Sequence, residues 1–383
     1  MSKVYADNAA TKPLIPAVKQ TIRDFIDADL RNPSAIYSDG RKTKKLIETA
    51  RHLVAKSIGA DPDEIYFTSG STEAINAFFR STGNHVITSK IEHKAITQQA
   101  HSYGGCYFDL NVSPNGVIDM DGIRNLTEYY GKDCTVVIGY VNNEIGTIQP
   151  MKEIIDICHK YGSQVFCDAT QAIGNVPINV HDLGVDYLCG SGQKLGALAG
   201  TGFLYIRKGI SLNPIQLGGA QERGMRAGTE NVLGILTLAT AMGVAVWKID
   251  SKIAHTEANR NVIIEGLLKI PKSHLNGTWG NRVCNNINIA FEGIEAESLV
   301  LQCDICGLQI SAGSACNSAS IEPSHVLKAI GLSDDLARAS VRITIGNDTT
   351  NAEVQFIIRT ITDCVAKLRE TSPLWKEINH DMV

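Results

Sequence analysis

The chain has 383 residues, 44% of them apolar and 20% charged, and a formal net charge of −4. That length exceeds what one hydrophobic core usually organises, so two domains are expected; the composition excludes a disordered chain. The small acidic excess excludes a broad nucleic-acid-binding surface, which needs concentrated Lys and Arg.

Residues 17–30 read as a helix, Asn32-Pro33-Ser34 as a turn, and 40–58 as a second helix. Strand and helix signals then alternate: 64–68 with 72–80, 85–89 with 94–101, and 135–141 with 152–161. Short apolar runs follow at 164–167, 187–189 and 202–206. Such alternation predicts a mostly parallel sheet covered by helices. A long helical stretch is expected over 231–259. After it comes a smaller α+β unit with strands at 286–291 and 341–345 and helices at 297–301, 324–329 and 352–369. No apolar leader opens the sequence and no run approaches the ~20 apolar residues of a membrane span, so a cytoplasmic location is expected.

Ten cysteines are scattered through mainly apolar segments, as expected of reduced, buried thiols in a cytosolic protein. Cys303 and Cys306 have redox or metal spacing, but without a second pair or a nearby His no metal role is assigned. Cys316 differs. It lies in Ser311-Ala312-Gly313-Ser314-Ala315-Cys316-Asn317-Ser318-Ala319-Ser320, a run of small residues expected to form a mobile, exposed loop in which a thiol can act as nucleophile.

Asp168 ends the apolar run Gln164-Val165-Phe166-Cys167, and Lys194 follows the next apolar run in Ser191-Gly192-Gln193-Lys194. An acid placed to keep a pyridinium nitrogen protonated, with a lysine to form a Schiff base, is what a pyridoxal-phosphate site requires. Thr68-Ser69-Gly70-Ser71-Thr72-Glu73 sits between a strand and a helix, where backbone N–H groups at a helix start make an anion cradle or, equally, an ordinary turn with Ser71 or Thr72 as cap. Ser69, His93, Asn143, Asp168, Gln171 and Lys194 all fall just past strand ends, where open α/β sheets gather ligands. His93 suits a proton carrier against a ring or a helix cap. Asn143 suits a donor to a ring oxygen or a turn residue. Arg342 suits a bidentate carboxylate clamp or a domain interface.

These motifs, in this order, closely resemble the NifS/IscS-type cysteine desulfurases of the class-V aminotransferase family. The resemblance runs from Tyr5-Ala6-Asp7-Asn8-Ala9-Ala10-Thr11 to Ser372-Pro373-Leu374-Trp375. It includes Gln221-Glu222-Arg223-Gly224-Met225-Arg226-Ala227-Gly228-Thr229 and Glu322-Pro323-Ser324-His325-Val326-Leu327. It implies the α/β fold of type I pyridoxal-phosphate transferases: a large domain over 1–255 around a mostly parallel seven-stranded sheet, its arm 1–16 packing with a smaller α+β domain over 256–383 that carries the Cys316 loop.

By the same resemblance Lys194 holds pyridoxal 5'-phosphate covalently, Asp168 faces its ring nitrogen and His93 stacks on the ring. Gln171 and Asn143 face the ring hydroxyl, while Ser71, Thr72, Ser191 and Gln193 bind the phosphate. Thr229 reaches the neighbouring subunit's phosphate, which implies a homodimer. Arg342, Asn32 and Asn143 hold the substrate, L-cysteine. Cys316 takes its sulfur as a persulfide, releasing alanine and serving a sulfur-acceptor protein in iron–sulfur cluster, thio-cofactor or tRNA biosynthesis. The sequence departs from the family pattern at Gln193, where His is usual, at Leu198-Ala199, where Pro-Lys is usual, and at Tyr37, where His is usual. The alternatives are a selenocysteine lyase or other class-V transferase, and a non-catalytic sulfur-relay protein that kept the fold.

Overall fold

A computed structural model describes residues 3–313 and 322–380. Seven strands form the large sheet: β1 Ile65–Thr68, β2 His85–Ser89, β3 Tyr107–Leu110, β4 Cys134–Gly139, β5 Gln164–Asp168, β6 Tyr187–Ser191 and β7 Gly202–Ile206. Their order is β1-β7-β6-β5-β4-β2-β3. Every pair is parallel except the two made by β7, which runs against both β1 and β6. Six strands therefore finish at one edge, and β7 starts there.

Both faces of the sheet are covered, which is why the strands are apolar runs without clean alternation. Val136, Val165, Leu188 and Phe203 join a core with the Ser38–Ile58, Met151–Lys160 and Val232–Val246 helices. Their chain neighbours Val137, Phe166, Tyr187 and Leu204 face the other side, against the Ser71–Ser81 and Lys94–Ser102 helices.

The C-terminal region has its own core around a four-stranded antiparallel sheet, in the order Ser311–Ala312, Ser340–Thr344, Asn286–Phe291, Ser273–Leu275. The chain start is stitched to this region. Val4–Tyr5 pairs in parallel with Leu308–Gln309, and Thr344 N–H donates to Ala6 O at 2.7 Å.

Two expectations fail. The helix expected over 231–259 is two helices, Val232–Val246 and Ile249–Leu267, bent by 73° where Trp247 turns extended and Lys248 adopts φ 51°. The first helix is apolar almost all round and buried; the second carries a polar face, so one straight rod cannot satisfy both. β3 was not foreseen, because it is an edge strand whose four residues are all only half-buried and so give little apolar signal. Among the described residues no single helix is long and apolar enough to cross a membrane; the bent pair reaches that only jointly. The nine described cysteines are free thiols, all buried except Cys106 and Cys306.

Candidate active site

The strand ends deliver polar side chains into one cleft of about 380 Å³. Its walls include Ser71, Thr72, His93, Asn143, Asp168, Gln171, Ser191, Gln193, Lys194 and Arg342. With Ser69, which is also in the lining, eleven of the residues singled out from the sequence therefore converge. Two do not: Asn32, whose side chain accepts from Ser34 N–H at 2.9 Å, and Thr229 are exposed and lie outside the cleft lining. Cys316 lies outside the described residues.

The Ser71–Ser81 helix begins after Gly70, which offers no side chain to cap it. Its first-turn N–H groups thus start beside the Ser71, Thr72 and Ser191 hydroxyls with the positive end of the helix dipole behind them. β7 makes this possible by proximity: a Cβ on Gly202 would sit 2.6 Å from Gly70 Cα and 2.5 Å from Gly190 O. Only glycine lets strand and turn touch.

Asp168 is 8% exposed, and its Oδ1 accepts from Thr170 N–H at 2.9 Å. The thiols of Cys167 and Cys189 beside it are driven well above their ordinary range by burial and by the Asp168 charge, so they stay neutral. His93 caps the Lys94–Ser102 helix, accepting from Ala95 N–H on Nδ1 at 3.1 Å, which leaves the ring proton on Nε2. His93 is thus a helix cap, and it also lines the cleft. Burial lowers its pKa, and the Lys194, His325 and Lys94 charges add to that against Asp168, so the ring is neutral at pH 7.

Lys194 follows β6 in a single 3₁₀ turn, and its Nζ donates to Ala9 O at 2.9 Å and Ala10 O at 2.6 Å. Gln171 Nε2 donates to the same Ala9 O at 3.1 Å. Residue-level reasoning gave Ala9 and Ala10 no role, since two alanines carry no chemical signal; their carbonyls do the work. Arg342 is 1% exposed, donating from Nη1 to Asn143 O at 3.1 Å and from Nη2 to Asp7 Oδ1 at 2.8 Å, while its buried Nε has no partner.

Glu92 was also missed. It lines the cleft, fully buried, with Oε1 hydrogen-bonded to the Ser89 hydroxyl at 2.6 Å and Oε2 accepting from Gly139 N–H at 2.7 Å. Burial pushes its carboxyl up to about 8, with Asp168 and Asp109 acting in the same direction, so it is largely protonated at neutral pH. Away from the cleft, Asp61, Glu64 and His181 bring three potential ligand atoms within 4.8 Å of one another. Glu64 there already accepts from Asp61 N–H, Lys208 N–H and His181, which accounts for the cluster without a metal.

The described cleft fits pyridoxal phosphate in three physical respects. An uncapped helix start and hydroxyls suit a phosphate, a buried acid flanked by neutral thiols suits a ring cation, and a lysine amine is close at hand.

Comparison with known proteins gives the same direction. Residues 4–357 match the family model described as aminotransferase class-V. A protein of Methanosarcina thermophila named cysteine desulfurase IscS is 43% identical over 97% of this chain and 94% of its own length. One of the same name from Dictyoglomus turgidum is 41% identical over 98% of both. Among solved structures, a NifS-like protein superposes with a TM-score of 0.89 at 30% identity, covering 96% of this chain and 100% of that one. A motif-bearing cleft, a family match over nearly the whole sequence and full-length relatives agree: the chain belongs to the class-V aminotransferase family.

Proposed function

We propose that this protein is a cytoplasmic, homodimeric, pyridoxal-phosphate-dependent cysteine desulfurase that moves sulfur from L-cysteine to Cys316, releases L-alanine and hands the sulfur to an acceptor protein. When bound, pyridoxal phosphate supplies an aldehyde that condenses with amines and an electron sink that weakens bonds at the substrate's α and β carbons. The rest is done by side chains.

Ser71, Thr72, Ser191 and Gln193 hold the phosphate, and the start of the Ser71–Ser81 helix adds its unpaired amides. Asp168 keeps a proton on the ring nitrogen. Burial and the Asp168 charge hold Glu92, Cys167 and Cys189 beside it neutral. Asn143 and Gln171 would orient the ring through its hydroxyl, and neutral His93 would face the ring, able to take or give a proton. Lys194 would hold the cofactor through its side-chain amine. Arg342, on the cleft wall, takes the substrate carboxylate.

Covalent geometry supports Cys316 as the sulfur acceptor. Gly313, whose N–H donates to Ser340 O at 2.9 Å, is three residues before it, so the Cys316 Cα stays within ~11 Å of that anchor. Ser311, two residues before Gly313, pairs in register with Arg342 of the cleft wall. Iron–sulfur cluster, thio-cofactor and tRNA assembly are the routes that such a persulfide would feed.

The observation that carries the reading is the convergence of Lys194, Asp168, His93 and an uncapped helix start in one cleft. It is tested by borohydride reduction of the yellow holoenzyme and peptide mapping, expected to find the pyridoxyl group on Lys194. Cys316→Ala should keep the colour and lose sulfide release from L-cysteine. A pyridoxyl group elsewhere, or normal sulfur transfer by Cys316→Ala, would refute the respective assignment.

A further inference from the structure

Two segments meet beside the cleft through side chains that the proposed reaction does not use. The turn after β4, which carries Asn143, is held from the C-terminal region at several points. Asn286 Nδ2 and Asn288 Nδ2 each donate to Glu144 O at 3.1 Å, and Arg342 Nη1 donates to Asn143 O. Within the turn, Asn142 Oδ1 accepts from Glu144 N–H at 2.9 Å and Ile145 N–H at 3.0 Å. The Glu144 side chain then reaches Ser324. That hydroxyl donates to Glu144 Oε2 and accepts from Leu327 N–H at 3.3 Å, capping the helix His325–Ala329.

The next residue, His325, donates from Nε2 to Glu92 O at 3.0 Å. Ser324 and His325 thus grip the chain neighbours of Asn143 and His93, the two residues assigned to the ring hydroxyl and the ring face. Glu144 is 8% exposed and Ser324 5%. Burial raises the Glu144 carboxyl, opposed by the Ser324 hydroxyl and the charges of His325, Arg342 and Lys94. Desolvating a carboxyl is costly, and an apolar pair would fill the same space more cheaply; what a polar pair adds is one specified register.

That register matters because Ser324 is eight residues after Cys316. On the other side Gly313 is bonded to Ser340 O and closely packed: a Cβ there would lie 3.1 Å from Leu327 Cδ1. We propose that Glu144 and Ser324 are positioning residues for sulfur transfer, their buried hydrogen bond fixing the start of the His325–Ala329 helix against the turn that carries Asn143. The inference rests on Cys316 being the sulfur acceptor.

The test is single-turnover persulfide formation on Cys316 in the holoenzyme, followed by mass spectrometry after mixing with L-cysteine. Ser324→Ala and Glu144→Ala should each slow it on the order of ten- to a hundred-fold, the loss expected of an ångström-scale misplacement of reacting groups. The KM for L-cysteine and the holoenzyme colour should be unchanged. Glu144→Gln, whose amide oxygen can accept the Ser324 bond, should recover most of the rate, and the double alanine variant should be no slower than the slower single one. Wild-type rates in both alanine variants, a glutamine variant as slow as the alanine one, or colour lost together with rate would overturn the positioning role. Cys316→Ala run alongside separates two failures. If it still forms an enzyme persulfide the acceptor assignment falls, whereas an inert Cys316→Ala beside a fast Ser324→Ala removes only the anchoring role.

Discussion

Glu92 and His93 are adjacent in sequence and both sit in the cleft wall, yet burial acts on them in opposite chemical directions: it keeps the acid protonated and the imidazole unprotonated. Both end up neutral on the cleft wall that also carries Asp168. For Glu92 the folded-state value of about 8 lies above the ordinary 4.5, so between those limits the folded protein holds a proton that the unfolded chain releases. Stability contributed by this group is therefore present at low pH and lost as pH rises through that window. Glu92→Gln keeps both hydrogen bonds without the proton. Thermal melts from pH 5 to 9 should show a shallower decline for the variant than for the wild type; parallel curves would mean that Glu92 does not titrate there. Asp168 and Lys194 were legible in the sequence because strand-end position alone marks them. Glu92 was not, because its partners Ser89 and Gly139 come together only through the pairing of β2 with β4, which no local pattern encodes.

At the scale of elements, the proposed phosphate end of the cleft depends on how closely β7 approaches the turn at Gly70. Gly202 opposes Thr68 in the β1 pairing and Ser191 in the β6 pairing, so it sits between both flanks of the proposed phosphate site. A methyl group there meets backbone on both sides, and backbone cannot swing away as a flexible side chain can. Gly202→Ala should cost about 1–3 kcal/mol in denaturant unfolding, the usual range for overpacking, and should weaken pyridoxal-phosphate binding in a fluorescence titration. Gly83→Ala, where an added Cβ meets nothing within 4 Å, is the control for both. Cofactor binding equal in the two variants would detach the β7 approach from the phosphate site. Elements with strong apolar runs were readable in advance. The edge strand β3 and the break at Trp247–Lys248 were not, since one is only half-buried and the other is set by where two helices must lie on different cores.

Across the whole molecule, the cleft is bounded by both cores and by the chain start: Asn8 and Ala9 donate to Thr344 and Asp7 accepts from Arg342, both of the C-terminal sheet, while the Ala9 and Ala10 carbonyls reach Gln171 and Lys194 of the large domain's strand ends. Thr229 alone among the proposed cofactor-binding residues is exposed and off the cleft of its own chain. The loop before it is firmly built. Arg51 makes two 2.8 Å bonds to the buried Glu222, which also accepts from Phe67 N–H at 2.8 Å. Glu222 and Arg223 hold φ values of 46° and 56°, a conformation that costs non-glycine residues of order 1–3 kcal/mol each and persists only where the surroundings impose it. A loop so constrained, ending in an exposed threonine, suits a residue delivered to a second subunit. Two variants decide it. Lys194→Ala removes the cofactor anchor, and Thr229→Val removes the donated hydroxyl. If each site combines Lys194 of one chain with Thr229 of the other, a mixed dimer of the two variants contains one intact site and one doubly impaired site. Random reassociation of an equal mixture makes half of the dimers mixed, so activity should recover to roughly a quarter of wild type, provided Thr229→Val alone is severely impaired. Were each site instead built within one chain, mixing would return only the average of the two variants, and the proposal that subunits share their active sites would fail.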